Sequence, residues 1–108
     1  MRRIMALALG LALLAVMATA ELNYTKVSAT ATAQTTTISG SSLLIVNDGA
    51  NEVYVRVFND GETAADATTS STEIKSGEGL EFYRPMGMKA VSIVCAAAET
   101  ATVRLVYW

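Results

Sequence analysis

From Tyr24 to Trp108 the chain reads as short strand-like runs divided by turn residues every 8 to 12 positions, a spacing that belongs to antiparallel sandwiches and small barrels. The clearest run is Val53-Tyr54-Val55-Arg56-Val57-Phe58. Side chains alternate across a strand, so the three valines share one face and Tyr54, Arg56 and Phe58 the other. Leu43-Leu44-Ile45-Val46 is apolar without a break, the pattern of a strand covered on both faces. Leu80-Glu81-Phe82-Tyr83-Arg84 is stopped by Pro85, whose missing N–H cannot join a central ladder. Met88 to Cys95 is a further apolar strand and Thr72-Glu73-Ile74-Lys75 a weak one. Ala101 to Trp108 closes the pattern with Val103, Leu105 and Tyr107 on one face. The expected core is Val53, Val55, Val57, Val91, Ile93, Val103 and Leu105.

Asn47-Asp48-Gly49 and Asn59-Asp60-Gly61 separate these runs. The Asp-Gly of the first is expected to supply the positive φ that tight hairpins require. Glu62 to Ser71 is a polar loop without apolar periodicity. Tyr24 to Thr37 alternates Ala and Thr with period 2, an extended segment whose small side chains bury little. It is expected either as an edge strand or as an arm that pairs with a neighbouring chain. The fold predicted is all-β: a small antiparallel β-sandwich or barrel of six to seven short strands, preceded by an apolar N-terminal segment. Residues 42–108 form the sandwich, 21–41 the Ala/Thr/Ser-rich arm or edge strand, and 1–20 the apolar segment.

That segment carries Arg2 and Arg3, an apolar run from Ile4 to Met17, and Ala18-Thr19-Ala20. This is the layout of a secretory signal peptide cut before Glu21. The run is shorter than the ~20 apolar residues a spanning helix needs, so no stable membrane span is expected. Met17 offers a second reading, in which translation begins there and the upstream stretch is a mis-called start. A retained membrane anchor ranks behind both.

The 108 residues suffice for one domain. Without Arg2 and Arg3 the chain's 8 basic residues become 6 against 10 acidic ones, a net charge of −4. The bases stand singly at Lys26, Arg56, Lys75, Arg84, Lys89 and Arg104, so no basic stripe is offered to phosphate and nucleic acid is not an expected partner. There is no histidine and only one cysteine, which excludes Ser-His and Cys-His nucleophile systems and the common zinc sites. Cys95 lies among Val, Ile and Ala and reads as a buried thiol acting as a small hydrophobe. Asp48, Glu52, Asp60, Glu62 and Asp66 sit beside Gly, Asn and Thr. They read as solvated turn residues ahead of an acid/base pair. A calcium site from the same oxygens is a softer reading, lacking the alternating spacing of a dedicated calcium loop. The rings of Tyr24, Tyr54, Phe58, Phe82, Tyr83, Tyr107 and Trp108 suit core or interface ahead of a sugar platform. No catalytic, cofactor or metal residue is therefore expected. The candidate site is an interface, Tyr54, Arg56 and Phe58, because two aromatics around an arginine is a composition enriched where proteins meet. Oligomerisation is expected on the same grounds, since a small domain without a disulfide gains stability by association.

Three stretches carry a resemblance to known proteins: Leu44-Ile45-Val46-Asn47-Asp48-Gly49 leading into Val53-Tyr54-Val55-Arg56, then Ile74-Lys75-Ser76-Gly77-Glu78, then Val91 to Val103. From Leu43 to Trp108 the chain resembles a group of small proteins encoded among the structural genes of tailed phages and prophages. The resemblance implies a single β-sandwich associated with the virion, as capsid decoration or a head-tail part, without enzymatic activity. Its partners would be capsid or tail proteins or further copies of itself. The shared motifs are strands and turns, so no functional residue is carried over. A signal peptide departs from this pattern, because virion parts assemble in the host cytoplasm. A start at Met17 would place the protein in the virion. Cleavage before Glu21 would make it a periplasmic or secreted module that binds a glycan or a cell-surface partner.

Overall fold

A computed structural model describes residues 22–108; the apolar segment, with its alternative readings and the cleavage position before Glu21, lies outside the described residues. Among the described residues there is no helix, and hence no helix long and apolar enough to cross a membrane. The described residues form eight strands: β1 (Asn23–Ala29), β2 (Gln34–Thr37), β3 (Ser42–Asn47), β4 (Val53–Asn59), β5 (Thr72–Ile74), β6 (Gly79–Tyr83), β7 (Met88–Cys95) and β8 (Ala101–Tyr107). The number exceeds the six to seven expected because the Ala/Thr-rich segment is two strands. Its middle, Thr30 to Ala33, leaves the ladder and carries the chain from one sheet to the other.

The strands build two four-stranded sheets, β1-β8-β3-β6 and β2-β7-β4-β5, in which every pairing is antiparallel. The first strand pairs with the eighth, the second with the seventh, the third with the sixth and the fourth with the fifth, like one long hairpin rolled up on itself. This strand order is that of a jelly roll, an eight-stranded double-sheet sandwich. It explains how an alanine-rich segment is held. β1 lies along β8 over seven residue pairs and β2 along β7 over four, while Val27, Ala29 and Ile38 enter the core. Asn23–Ala29 and Gln34–Thr37 are thus edge strands of this same sandwich.

Inner side chains of both sheets meet in one core. Val53, Val55, Val91, Ile93, Val103 and Leu105 are buried there with Leu43, Ile45, Ile74 and Met88, and Val57 packs at its margin. Every core position expected from period-2 alternation is found in it. The unbroken apolar run of β3 behaves differently from expectation. Leu43 and Ile45 point inward, but Leu44 and Val46 remain half-exposed. The strand buried on both faces is β7, where six consecutive residues from Ala90 to Cys95 are buried.

The two Asn-Asp-Gly segments serve different needs. Gly61 adopts φ +88°, in the left-handed region that glycine enters at little cost. Gly49 does not adopt a positive φ; a Cβ there would lie 2.6 Å from the Cβ of Ala101. Its glycine permits the close approach of β8. Asn47, two positions earlier, ties this corner together: it is fully buried, and its side-chain amide donates to the carbonyls of Asn51 (2.8 Å) and Ile74 (3.0 Å). Asn47 Oδ1 accepts the N–H of Gly49 at 2.9 Å. A buried amide with its hydrogen-bonding capacity met in this way adds specificity without the cost of an orphaned polar group.

Candidate functional site

β4 presents Tyr54, Arg56 and Phe58 on the outward face of the β2-β7-β4-β5 sheet, opposite Val94, Ser92 and Ala90 of β7. The three are not equivalent. Arg56 is exposed and Tyr54 half-buried, whereas Phe58 is only 1% exposed. The cause is the polar loop between β4 and β5. Its Ala67 is buried, and the Ala67 N–H donates to Ser92 Oγ at 2.9 Å. Around this bond Phe58, Ala90 and Ser92 are all buried, so the loop lies over the sheet as a second, thin layer. Of the expected interface, Tyr54 and Arg56 reach solvent; Phe58 is held within the chain. Sequence reasoning missed this because the loop has no apolar period and its covering residue is a single alanine.

The titratable groups nearby are set for contact chemistry. The Tyr54 hydroxyl donates to Glu52 Oε1 at 3.2 Å. Partial burial first, then the Glu52 carboxylate, with Glu73 and Glu99 beyond it, push the phenol above its ordinary value, so it stays a protonated donor. Burial, and secondarily Glu99, push the Cys95 thiol up; a thiol that resists ionisation is a poor nucleophile. Asp48 holds Arg104 by a two-pronged ion pair, with Nη2 3.0 Å from Oδ1, and Glu62 Oε1 accepts the Asn59 N–H at 2.8 Å. Asp48 and Glu62 thus close a corner and a turn. Among the described residues no three His, Cys, Asp or Glu side chains converge as metal ligands.

Among the described residues no loop covers the opposite sheet. Across β1, β8, β3 and β6 its outward face carries one row of Tyr24, Val106, Leu44 and Glu81, and a second of Lys26, Arg104, Val46 and Gly79. Tyr24 is 55% exposed, and Leu44, Val46 and Val106 are half-exposed. Tyr83, at the end of β6, is 67% exposed. A sheet that faces water on one side ordinarily alternates to polar residues there. This one keeps Leu and Val at its centre.

A groove of about 400 Å³ opens where β5 ends. β5 reaches only to Thr72, opposite Val55, so from Arg56 onward that side of β4 has no strand partner. Arg56, Val57, Ser70 and Ser71 line the groove with Phe82 and Arg84 from the other sheet. The Arg56 guanidinium carbon stands 5.0 Å from the centroid of the Phe58 ring, and that of Arg84 5.7 Å from Phe82. Arg84 was not singled out by its local sequence. The available signal is the mirrored pair Arg56-Val57-Phe58 and Phe82-Tyr83-Arg84, in which strand alternation puts each arginine on the same face as a phenylalanine.

Among the described residues, fold and surfaces together define an eight-stranded jelly roll with one self-covered sheet, one uncovered sheet face that sets Leu and Val among charged residues, and an arginine-lined groove at the edge between the sheets. No protein-family model and no curated protein matches the chain.

Proposed function

We propose that this protein is a non-enzymatic structural or assembly component acting through contacts with other protein subunits, with a tailed-phage or prophage virion as its setting and capsid decoration or a head-tail position as its role. One observation carries the reading: the open face of the β1-β8-β3-β6 sheet keeps Tyr24, Leu44, Val46 and Val106 in reach of solvent. Aliphatic side chains gathered at the centre of an outward sheet face, with charged residues around them, fit an interaction site. The resemblance of residues 43–108 to small phage structural proteins supports the virion setting. The jelly roll is an architecture that capsid proteins use, as lectins do. A start at Met17 belongs with this reading.

The second reading is an exported module that binds a glycan or a cell-surface partner, for which Tyr24 and Tyr83 offer exposed rings. These rings stand on the first and last strands of their sheet, three strand spacings across and two residues along, roughly 16 Å apart, with the Val106 and Leu44 strands between them. That separation suits a broad protein contact better than stacking on one sugar ring. Sedimentation velocity of the expressed protein at micromolar concentration tests the proposal. The expected result is an oligomer that Leu44→Arg with Val106→Arg converts to a monomer that still melts cooperatively, at a temperature no longer dependent on protein concentration. A monomer at every concentration, together with absence of the chain from purified particles by mass spectrometry, would overturn it.

A further inference from the structure

The groove beside β5 brings together features that the assembly proposal does not use. Arg56 and Arg84 come from different sheets and line one hollow, and no carboxylate lines it with them. Among the described residues the ion pair belongs to Arg104 and Asp48, elsewhere on the molecule. Arg84 Nη1 donates to the Tyr83 carbonyl at 3.2 Å, which leaves its other N–H groups, and those of Arg56, for an anion that would offset the charge two arginines bring to one hollow. The chain as a whole is acidic, so a carboxylate-free pair of arginines is not the product of a generally basic surface. Each arginine is also braced. Its guanidinium lies over the ring of Phe58 or Phe82, an arrangement that limits rotamer freedom before any ligand arrives. Ser70, Ser71 and Thr72 add hydroxyl groups along the same wall. Ser71 Oγ accepts the N–H of Thr68 at 3.0 Å, which leaves its own O–H free to donate.

We infer that this groove is a binding site for a doubly charged tetrahedral oxyanion, a phosphate or sulfate group. The charge matches two guanidinium groups, and four oxygen atoms can accept from both arginine forks and from the serine hydroxyls at once. A planar, singly charged carboxylate would satisfy fewer of these donors. Phe82 and Val57 supply an apolar wall, against which the carbon of an ester could lie. The site is open to solvent, so its affinity is expected to be modest and to fall with ionic strength.

The test uses the expressed full chain, 15N-labelled on arginine and uniformly, titrated at constant ionic strength with inorganic phosphate, sulfate, methyl phosphate and acetate. Phosphate and sulfate are expected to shift the Nε–H signals of Arg56 and Arg84 and the amides of Ser70 and Ser71, leaving Lys26 and Lys89 unmoved. Arg56→Gln or Arg84→Gln, each melting as the parent does, should weaken phosphate binding about tenfold. Arg56→Lys should restore part of the loss, because charge returns without the fork. Methyl phosphate binding as well as phosphate would support an ester of a larger ligand; its rejection would support the free anion. Acetate binding as tightly as phosphate would overturn the inference, as would shifts spread evenly over every basic residue or affinity unchanged by both Gln variants. Because the arginine variants leave Leu44 and Val106 intact, a failed titration with a normal oligomer refutes this site alone.

Discussion

The two sheets of this jelly roll are built from similar short strands, yet their outward faces meet opposite ends. On β2-β7-β4-β5 the loop between β4 and β5 folds back, and a bond from the Ala67 N–H to Ser92 Oγ pins it over Phe58 and Ala90. On β1-β8-β3-β6 the outward Leu44, Val46 and Val106 stay partly in water. The difference teaches where the described residues complete their own burial and where they do not. Covering a sheet takes little when the sheet supplies a buried hydroxyl as an anchor. A face left open with Leu and Val at its centre invites a second molecule. On the proposed reading, the surface offered to partners is therefore the β1-β8-β3-β6 face, not the one the interface composition of β4 indicated.

The largest predicted effect falls on the layer the two faces share. Val55→Asp places an unpaired charge where the residue is 1% exposed and should cost roughly 3–5 kcal/mol or more, enough to abolish cooperative melting. A soluble variant with a sharp thermal transition would contradict the assigned core. Next comes the comparison itself. Phe58→Ala, on the covered face, should destabilise by about 3–5 kcal/mol. Leu44→Ala, on the open face, should cost about 1 kcal/mol. Equal losses in urea titrations of the monomeric protein would erase the distinction drawn between the two sheets. Ser92→Ala should cost about 1–3 kcal/mol, because it strands the buried Ala67 N–H. It should also raise protease cleavage within residues 60–71 while leaving the rest of the chain resistant. The smallest effect lies away from both faces. Ala98 holds φ 63° in the turn closed by the Glu99 N–H to Ala96 carbonyl bond, a region an alanine occupies at a cost. Ala98→Gly is predicted to raise stability by about 0.5–1 kcal/mol; a loss of stability would refute strain at that turn.

Much of the inward architecture was legible because strand periodicity is exact at two residues. Val53, Val55 and Val57, and Val103 with Leu105, declare their face without help from tertiary structure. The outward architecture was less legible, for physical reasons that differ by element. Leu43-Leu44-Ile45-Val46 contains no polar residue, so alternation cannot say which side is buried, and the open face went unseen. Ala90 and Ser92 look like ordinary strand residues; only the distant Ala67 shows what lies over them. The division of residues 23–37 into β1 and β2 has no glycine or proline to mark it, so a crossing between sheets read as one strand. The groove joins residues 28 positions apart on opposite sheets, a proximity that the rolled strand order creates and local pattern does not encode.

The covering of one sheet by its own loop is the claim on which the placement of the interaction surface rests, and amide hydrogen exchange at Ala67 addresses it most directly. The account predicts that the Ala67 amide, donating to a buried serine oxygen, exchanges at least roughly a hundredfold more slowly than the exposed Gly61 amide of the same loop, and that Ser92→Ala removes this protection. An Ala67 amide that exchanges as fast as Gly61 would mean that the loop does not lie on the sheet, and that Phe58 is open to partners after all.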